Sequence, residues 1–108
     1  MPRQPHRIRI DKRLNAVGVN VRAARIAAGM TQDRLCGTIS SVTQKRWGPT
    51  RHDIYRIEAG TRLVTDFELI AVAAALRLNL LELVGGRPET DATALAIQFF
   101  GEPSEMPG

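Results

Sequence analysis

Cysteine and histidine are scarce in this chain, which has one cysteine and two histidines among 108 residues. The single Cys36 excludes an internal disulfide, and it stands where a small core residue is expected. His6, Cys36 and His52 lie too far apart in the chain to suggest a metal site or a paired nucleophile and base. There is no glycine-rich phosphate loop either. The sequence therefore predicts a protein that is not an enzyme and that has no metal or other cofactor.

Aromatic residues and long apolar runs are also few. Aromatic side chains make up 5% of the residues, so alanine, leucine, valine and isoleucine must form the core, and no base-stacking surface for RNA is expected. No apolar run approaches the roughly 18 residues of a membrane span, and the most apolar run, 69–76, ends at Arg77. The basic N-terminal residues are not followed by the apolar region of a secretory leader. We expect one small domain with tails, in a cytoplasmic protein without membrane contact.

Charge is distributed unevenly along the chain. Residues 1–62 contain 13 Lys and Arg against 4 Asp and Glu, a net of +9, whereas residues 63–108 contain 2 against 7, a net of −5. The two parts add up to the formal charge of +4. A basic first part suits a polyanion such as DNA, and an acidic second part would stay away from DNA or face another protein.

Apolar spacing and turn residues predict an all-helical (all-α) chain. Apolar residues at three- and four-residue steps predict a first helix over about 14–28, which ends at Gly29. Thr31 is a good N-cap for a second helix, and Gly48-Pro49 closes the segment after it. Besides the helix that follows Pro49, three more are expected: one capped by Thr65 or Asp66, a short one from Asn79, and one over about 91–100.

These elements divide the chain into three parts. Residues 1–13 contain two prolines, many basic residues and no helical pattern, and they are expected to form a flexible basic arm. Such an arm can lie along phosphates, enter a minor groove or simply be solvated. Residues 14–85 form the helical domain. Residues 86–108 form a C-terminal segment with a short helix and a disordered tail.

The helix after Pro49 is the expected functional element. Thr50 is a suitable N-cap, Asp53 can complete a variant capping box, and Gly60 ends the helix. Ile54 and Ile57 share the side that can pack against a small bundle. The remaining side chains are rich in hydrogen-bond donors: Arg51, His52, Tyr55 and Arg56. Such a set is typical of a helix that reads base edges in a major groove, and a solvated surface helix can have the same composition.

Four motifs, taken in order, resemble the Cro-like (Xre-type) helix-turn-helix family, which includes the phage repressors. They are Gly18-x-x-Val21-Arg22-x-x-Arg25, Gly29-Met30-Thr31-Gln32-x-x-Leu35, Arg56-Ile57-Glu58-Ala59-Gly60 and Asp66-x-Glu68-Leu69-x-x-x-Ala73-x-Ala75-Leu76. The resemblance covers residues 18–84. It implies a five-helix, lambda-repressor-like helix-turn-helix bundle, to which this chain adds a short C-terminal helix.

The resemblance also implies roles for individual residues. Arg51, His52 and Arg56 match base-reading positions. The positions that match contacts to the DNA backbone, or that lie nearer to it than to the bases, are Gln32, Thr50, Tyr55 and Arg62. Arg25 and Glu58 match a structural ion pair that fixes the first helix to the third.

The chain departs from the family in the turn before the recognition helix. Leu35 and Glu58 are 23 positions apart, several more than in compact members of the family. A longer second helix or a protruding loop at residues 37–49 would fit the sequence equally well. Trp47 in this segment is expected to anchor it to the core, with base stacking as the alternative. The neighbouring side chains, Lys45 and Arg46, are candidates for additional contacts to DNA phosphates.

The charge distribution and the resemblance together predict a sequence-specific, double-stranded DNA-binding transcriptional regulator. It would act as a repressor and insert helix 50–59 into the major groove as a homodimer. The alternative is an antitoxin-type or adaptor protein whose acidic C-terminal half binds another protein through residues 90–100. Co-purification with an unrelated second chain would favour this alternative.

Overall fold

A computed structural model describes residues 7–103 and contains six helices in that range. They are α1 (Gly18–Ala27), α2 (Gln32–Val42), α3 (Arg51–Ala59), α4 (Asp66–Leu76), α5 (Leu80–Leu83) and α6 (Ala92–Phe100). This range holds no strand, only an isolated bridge between Ile10 and Arg13. The predicted all-helical class is therefore confirmed. The first residues of the expected basic arm, 1–6, and the end of the expected tail, 104–108, lie outside the described residues.

Polar side chains cap most of the helices. The side chains of Thr31, Thr50, Thr65, Asn79 and Asp91 each accept a hydrogen bond from a backbone N–H in the first turn of the helix that follows. The sequence predicts Thr31 and Thr50 as caps, leaves Thr65 and Asp66 as alternatives for α4, and predicts that a short helix starts at Asn79.

The first helix begins later than its apolar pattern predicts, at Gly18 rather than near residue 14. Asn15 accounts for the difference. Its side-chain oxygen accepts hydrogen bonds from the backbone N–H groups of Val17 and Gly18, at 3.1 and 2.8 Å. Its side-chain amide donates to the carbonyls of Ile57 and Arg62, at 3.0 and 2.9 Å. The residues before Gly18 are thus held in a turn against the C-terminal end of α3.

The core lies where the first five helices meet. Its fully buried large side chains are Val21, Leu35, Ile39, Ile54, Ile57, Val72 and Leu83. Helix α2 packs against α3 and α4, and α1 packs against α3, α4 and α5. Cys36 is partly buried against this core, as expected of a small packing residue, and its burial raises the pKa of the thiol.

The enlarged segment before α3 consists of a second helix that extends to Val42 and a closed turn after it. Helix α2 continues through Gly37 to Val42, and a turn then follows in which Gln44 and Lys45 have positive φ angles of 55° and 65°. The hydroxyl of Thr43 accepts a hydrogen bond from the backbone N–H of Trp47 at 3.1 Å, which closes the turn. Trp47 packs against the core, so its expected anchoring role is confirmed.

Helix α6 buries little surface against the rest of the chain. None of its nine residues is buried, and Phe100 is 63% exposed. Leu95, Ile97 and Phe99 are half-buried. The longest helices between residues 7 and 103 have 11 residues, and none of them combines the length and apolar character that a membrane crossing requires.

Candidate nucleic-acid interface

Local hydrogen bonds fix both ends of α3. The Thr50 hydroxyl accepts a hydrogen bond from the Asp53 backbone N–H at 3.1 Å, and the Asp53 carboxylate accepts one from the Thr50 N–H at 2.9 Å. The latter bond is the main reason why the pKa of Asp53 lies below its ordinary value. At the other end Gly60 has φ 79°, a left-handed conformation that favours glycine. The helix therefore starts and stops where its sequence predicts.

The two sides of α3 have different surroundings. Ile54, Ile57 and Glu58 are buried. The other side carries the predicted base-reading residues, with Arg51 and His52 exposed and Arg56 half-buried. The ring of Tyr55, also exposed, stacks on the ring of His52 with centroids 6.4 Å apart. The donor-rich side chains of α3 are thus held outward by the same packing that buries the isoleucines.

The N-terminus of α2 opens onto the same surface. A groove between α2 and α3 includes Gln32, Arg51 and Tyr55 in its lining, which the sequence analysis assigned to one site. The amide of Gln32 donates a hydrogen bond to Glu58 at 3.2 Å, which fixes this side chain at the edge of α3. Backbone N–H groups in the first turn of a helix carry partial positive charge and suit an anion. This groove therefore offers donors from two helices to one ligand surface.

A buried ion pair between Arg25 and Glu58 holds together the helices that form this groove. The Arg25 guanidinium donates to both carboxylate oxygens of Glu58, at 2.7 and 3.0 Å, and to the carbonyl of Met30 at 2.9 Å. The two side chains are only 12% and 4% exposed. The hydrogen bond to Glu58 raises the pKa of Arg25. Because Glu58 also accepts the bond from Gln32, one buried carboxylate joins α1, the start of α2 and α3.

Arg62, which the resemblance places nearer to the DNA backbone than to the bases, makes several contacts within the domain. Its guanidinium donates to both oxygens of Glu68, at 2.8 and 3.0 Å, and to the carbonyl of Leu63 at 2.8 Å. It also lies over the Trp47 ring, 5.9 Å from the centroid. These contacts give Arg62 a structural role, which joins the turn before α3 to the start of α4.

The stability of this link should depend on pH. The Arg62 guanidinium, with smaller contributions from Thr65, lowers the pKa of Glu68 below its ordinary value. A carboxyl group with a lower pKa in the folded chain stabilises the fold above its unfolded pKa, and that contribution is lost as pH falls through the folded pKa. We expect Glu68→Gln to lose less stability than the wild type between neutral pH and about pH 3, as measured by urea unfolding. Equal losses would contradict this role.

Lys45 and Arg46 are exposed in the turn after α2, apart from the groove that contains Gln32 and Arg51. Arg46 instead borders an apolar groove between the end of α2 and α4, lined among others by Val42 and Phe67. The structure thus brings Gln32, Arg51 and Tyr55 together in one groove. Lys45 and Arg46 do not line that groove.

Three residues of this region were not singled out as site residues from the sequence. Arg22 and Asp33 line the groove beside Arg51, and Asn15 holds the C-terminal end of α3. The sequence could have indicated Arg22, because residues three positions apart lie on the same face of a helix and Arg22 precedes Arg25 by three. No local pattern indicates the contact of Asn15 with residues more than 40 positions away.

The basic arm is joined to the site at its last residue. The Arg13 guanidinium donates a hydrogen bond to the carbonyl of Glu58, and the Leu14 N–H donates to the carbonyl of Gly60 at 2.7 Å. Arg7, Arg9 and Lys12 before it are exposed. Arg13, which the sequence analysis placed in a flexible arm, is therefore bound to the end of α3.

Between residues 7 and 103, no group of three His, Cys, Asp or Glu side chains lies close enough together to hold a metal ion. Comparisons of the chain with models of protein families, with curated proteins and with solved structures gave no match.

Proposed function

We propose that this protein is a sequence-specific regulator of transcription that binds double-stranded DNA and inserts α3 into the major groove. The observation that carries this proposal is the shared groove of α2 and α3, in which Gln32 and Arg51 face one ligand surface. A helix with exposed donors and a fixed N-terminus can reach base edges, while the start of the preceding helix meets a phosphate. Base readout is assigned to Arg51, His52 and Arg56, and phosphate contacts to Gln32, Thr50 and Tyr55.

The same proposal includes a lambda-repressor-like helix-turn-helix arrangement with an enlarged turn. Support comes from the order of the helices, from the packing of α2 on α3, and from the Arg25–Glu58 pair that the resemblance implies. The net charge of +9 over residues 1–62 supports a polyanionic partner. Repression rather than activation follows only from the resemblance to phage repressors.

A homodimer on a palindromic site is part of the proposal. Two-fold dimers of such readers bind half-sites about one DNA turn apart, roughly 34 Å. Exposed apolar side chains on α4 and α6 could form the contact between copies, since Phe67 is 82% exposed and α6 has no buried residue. Selection of bound fragments from random duplexes, using the purified protein, tests both points. A palindromic consensus is expected, and recovery without any enriched sequence would refute the proposal.

Arg51→Ala should weaken binding to the selected duplex by about 1–3 kcal/mol, or roughly 5- to 150-fold, and relax the preference at one base pair. If Arg51 bonds a base edge, this variant removes the donors that distinguish that base pair from the others. If Arg51 binds a phosphate, its loss cannot change the preference for any base pair. Gln32→Ala serves as the contrast and should weaken binding to every duplex to the same extent. Fluorescence anisotropy with single-base variants of the selected duplex measures both effects. Equal losses on all duplexes for Arg51→Ala would place Arg51 on a phosphate.

Increasing salt should weaken the complex steeply. Each phosphate that a lysine or arginine neutralises releases a counterion, so the logarithm of affinity falls linearly with the logarithm of salt concentration. Removal of residues 2–9, which carry Arg3, Arg7 and Arg9, should reduce the slope by up to about three if the arm lies along phosphates. An unchanged slope would mean that the arm is solvated in the complex.

A second candidate function is binding of another protein through residues 90–100. It is favoured by the exposed apolar residues of α6 and by the net charge of −5 over residues 63–108. An antitoxin-type or adaptor protein would use this segment on its partner and DNA contact would be secondary. A stable complex with an unrelated chain after co-purification, lost on Phe100→Ser and unaffected by Arg51→Ala, would favour this function.

A further inference from the structure

An acidic side chain stands in the groove that the proposed function places against DNA. Asp33 belongs to the first turn of α2 and lines the groove together with Gln32 and Arg51. The groove's other carboxylate, on Glu58, is buried and paired with Arg25. The Asp33 carboxylate instead is 73% exposed, and it lies 3.8 Å from the guanidinium of Arg51, which is 69% exposed.

A negative charge at this position has two opposite effects. An acidic residue in the first turn of a helix interacts favourably with the helix dipole. The same position at a helix N-terminus is also where a phosphate would bind, and a carboxylate repels a phosphate. An exposed ion pair of this length contributes little to stability, so Arg51 can leave Asp33 easily. A negative charge here therefore weakens contact with any duplex unless Arg51 stays beside it.

We propose that Asp33 determines sequence specificity by making the binding of incorrect sequences unfavourable, an inference that rests on the proposed function. The guanidinium has five N–H donors, so Arg51 can bond a base edge with two of them and keep another directed at Asp33. On a correct site the carboxylate stays compensated by Arg51. On other sequences Arg51 turns to a phosphate, and Asp33 faces the backbone without its partner. Discrimination by repulsion of the wrong ligand is a general means of specificity.

The test compares a duplex recovered by the selection described above with an unselected random-sequence duplex of equal length, both labelled with fluorescein. Asp33→Asn should bind the unselected duplex about fivefold more tightly and the selected duplex nearly as the wild type does, since only the former complex leaves the carboxylate uncompensated. Asp33→Glu keeps the charge and should keep the wild-type ratio of affinities. In the Arg51→Ala background, Asp33→Asn should tighten binding to both duplexes equally.

Asp66→Asn is the control, because Asp66 is an exposed acidic residue in the first turn of α4, where its charge also interacts favourably with a helix dipole. It should leave the ratio unchanged. Two results would overturn the role of Asp33 and leave the proposed function intact. In one, the single variant Asp33→Asn increases the affinity for both duplexes equally; in the other, its effect is no larger than that of Asp66→Asn. A wild-type protein that binds both duplexes equally, or neither, would instead refute the proposed function and this inference together.

Discussion

Glu58→Ala should lower the free energy of unfolding by about 3–5 kcal/mol, because it leaves the buried guanidinium of Arg25 without its counter-charge. The carboxylate accepts two hydrogen bonds from Arg25 and one from Gln32, and its side chain is only 4% exposed. Domains of this size have a total stability of roughly 5–15 kcal/mol, so the loss is a large fraction of it. Urea unfolding followed by circular dichroism measures the change.

The double variant Arg25→Met with Glu58→Ala separates two explanations of that loss. If the cost comes from a stranded charge, removing the charge as well should restore part of the stability, even though no ion pair remains. If the double variant is as unstable as Glu58→Ala or more so, the attraction between the two groups and their packing carry the stability. Under the proposed function, both variants should also bind DNA more weakly, since Gln32 loses the acceptor that holds it beside α3.

Gly18→Ala should also destabilise the domain strongly. A Cβ atom at Gly18 would lie 2.1 Å from the carbonyl oxygen of Ile57 and 2.9 Å from that of Glu58. These are backbone atoms of α3 and cannot turn aside as a side chain could, so α1 would have to move away from α3. Overpacking of a close contact typically costs about 1–3 kcal/mol, and we expect a value at the upper end. The melting temperature should fall by roughly 10–20 °C.

Gly37→Ala is the matched comparison for this prediction. Gly37 lies inside α2, and a Cβ atom there meets no other atom within 4 Å. Alanine in a helix interior is favoured over glycine by roughly 0.5–1 kcal/mol, so this variant should be more stable than the wild type. A Gly18→Ala protein as stable as the wild type would mean that the two helices are not in close contact at this point.

Much of the architecture could be predicted because it depends on neighbours in the sequence. The Thr50 cap, its Asp53 partner and the Gly60 stop act within 11 residues, and they appear as a pattern in the chain. The division of α3 into a buried and an exposed side follows from the spacing of Ile54 and Ile57 in the same way. Local rules suffice for such features since each requires only one turn of helix.

The remaining features depend on contacts between distant parts of the chain. Asn15 ends up beside Ile57 and Arg62, and so α1 starts later than its apolar pattern suggests. Arg62 matched a position near DNA, yet Glu68 and Trp47 surround its guanidinium. Asp33 lies near Arg51 only because α2 and α3 pack together. The contact between Arg25 and Glu58 was expected only through the resemblance to a family, since spacing alone does not pair two residues 33 positions apart.

The bonds from Arg13 and Leu14 to the end of α3 have a consequence for the order of events during synthesis. Arg13 and Leu14 leave the ribosome before their partners, which are translated about 45 residues later, so these two residues acquire their native contacts only after three helices have been made. Closing so long a loop costs entropy before any contact compensates for it. Formation of this junction is therefore expected late in folding, and the C-terminal end of α3 should reach its final contacts only when Arg13 and Leu14 pack against it.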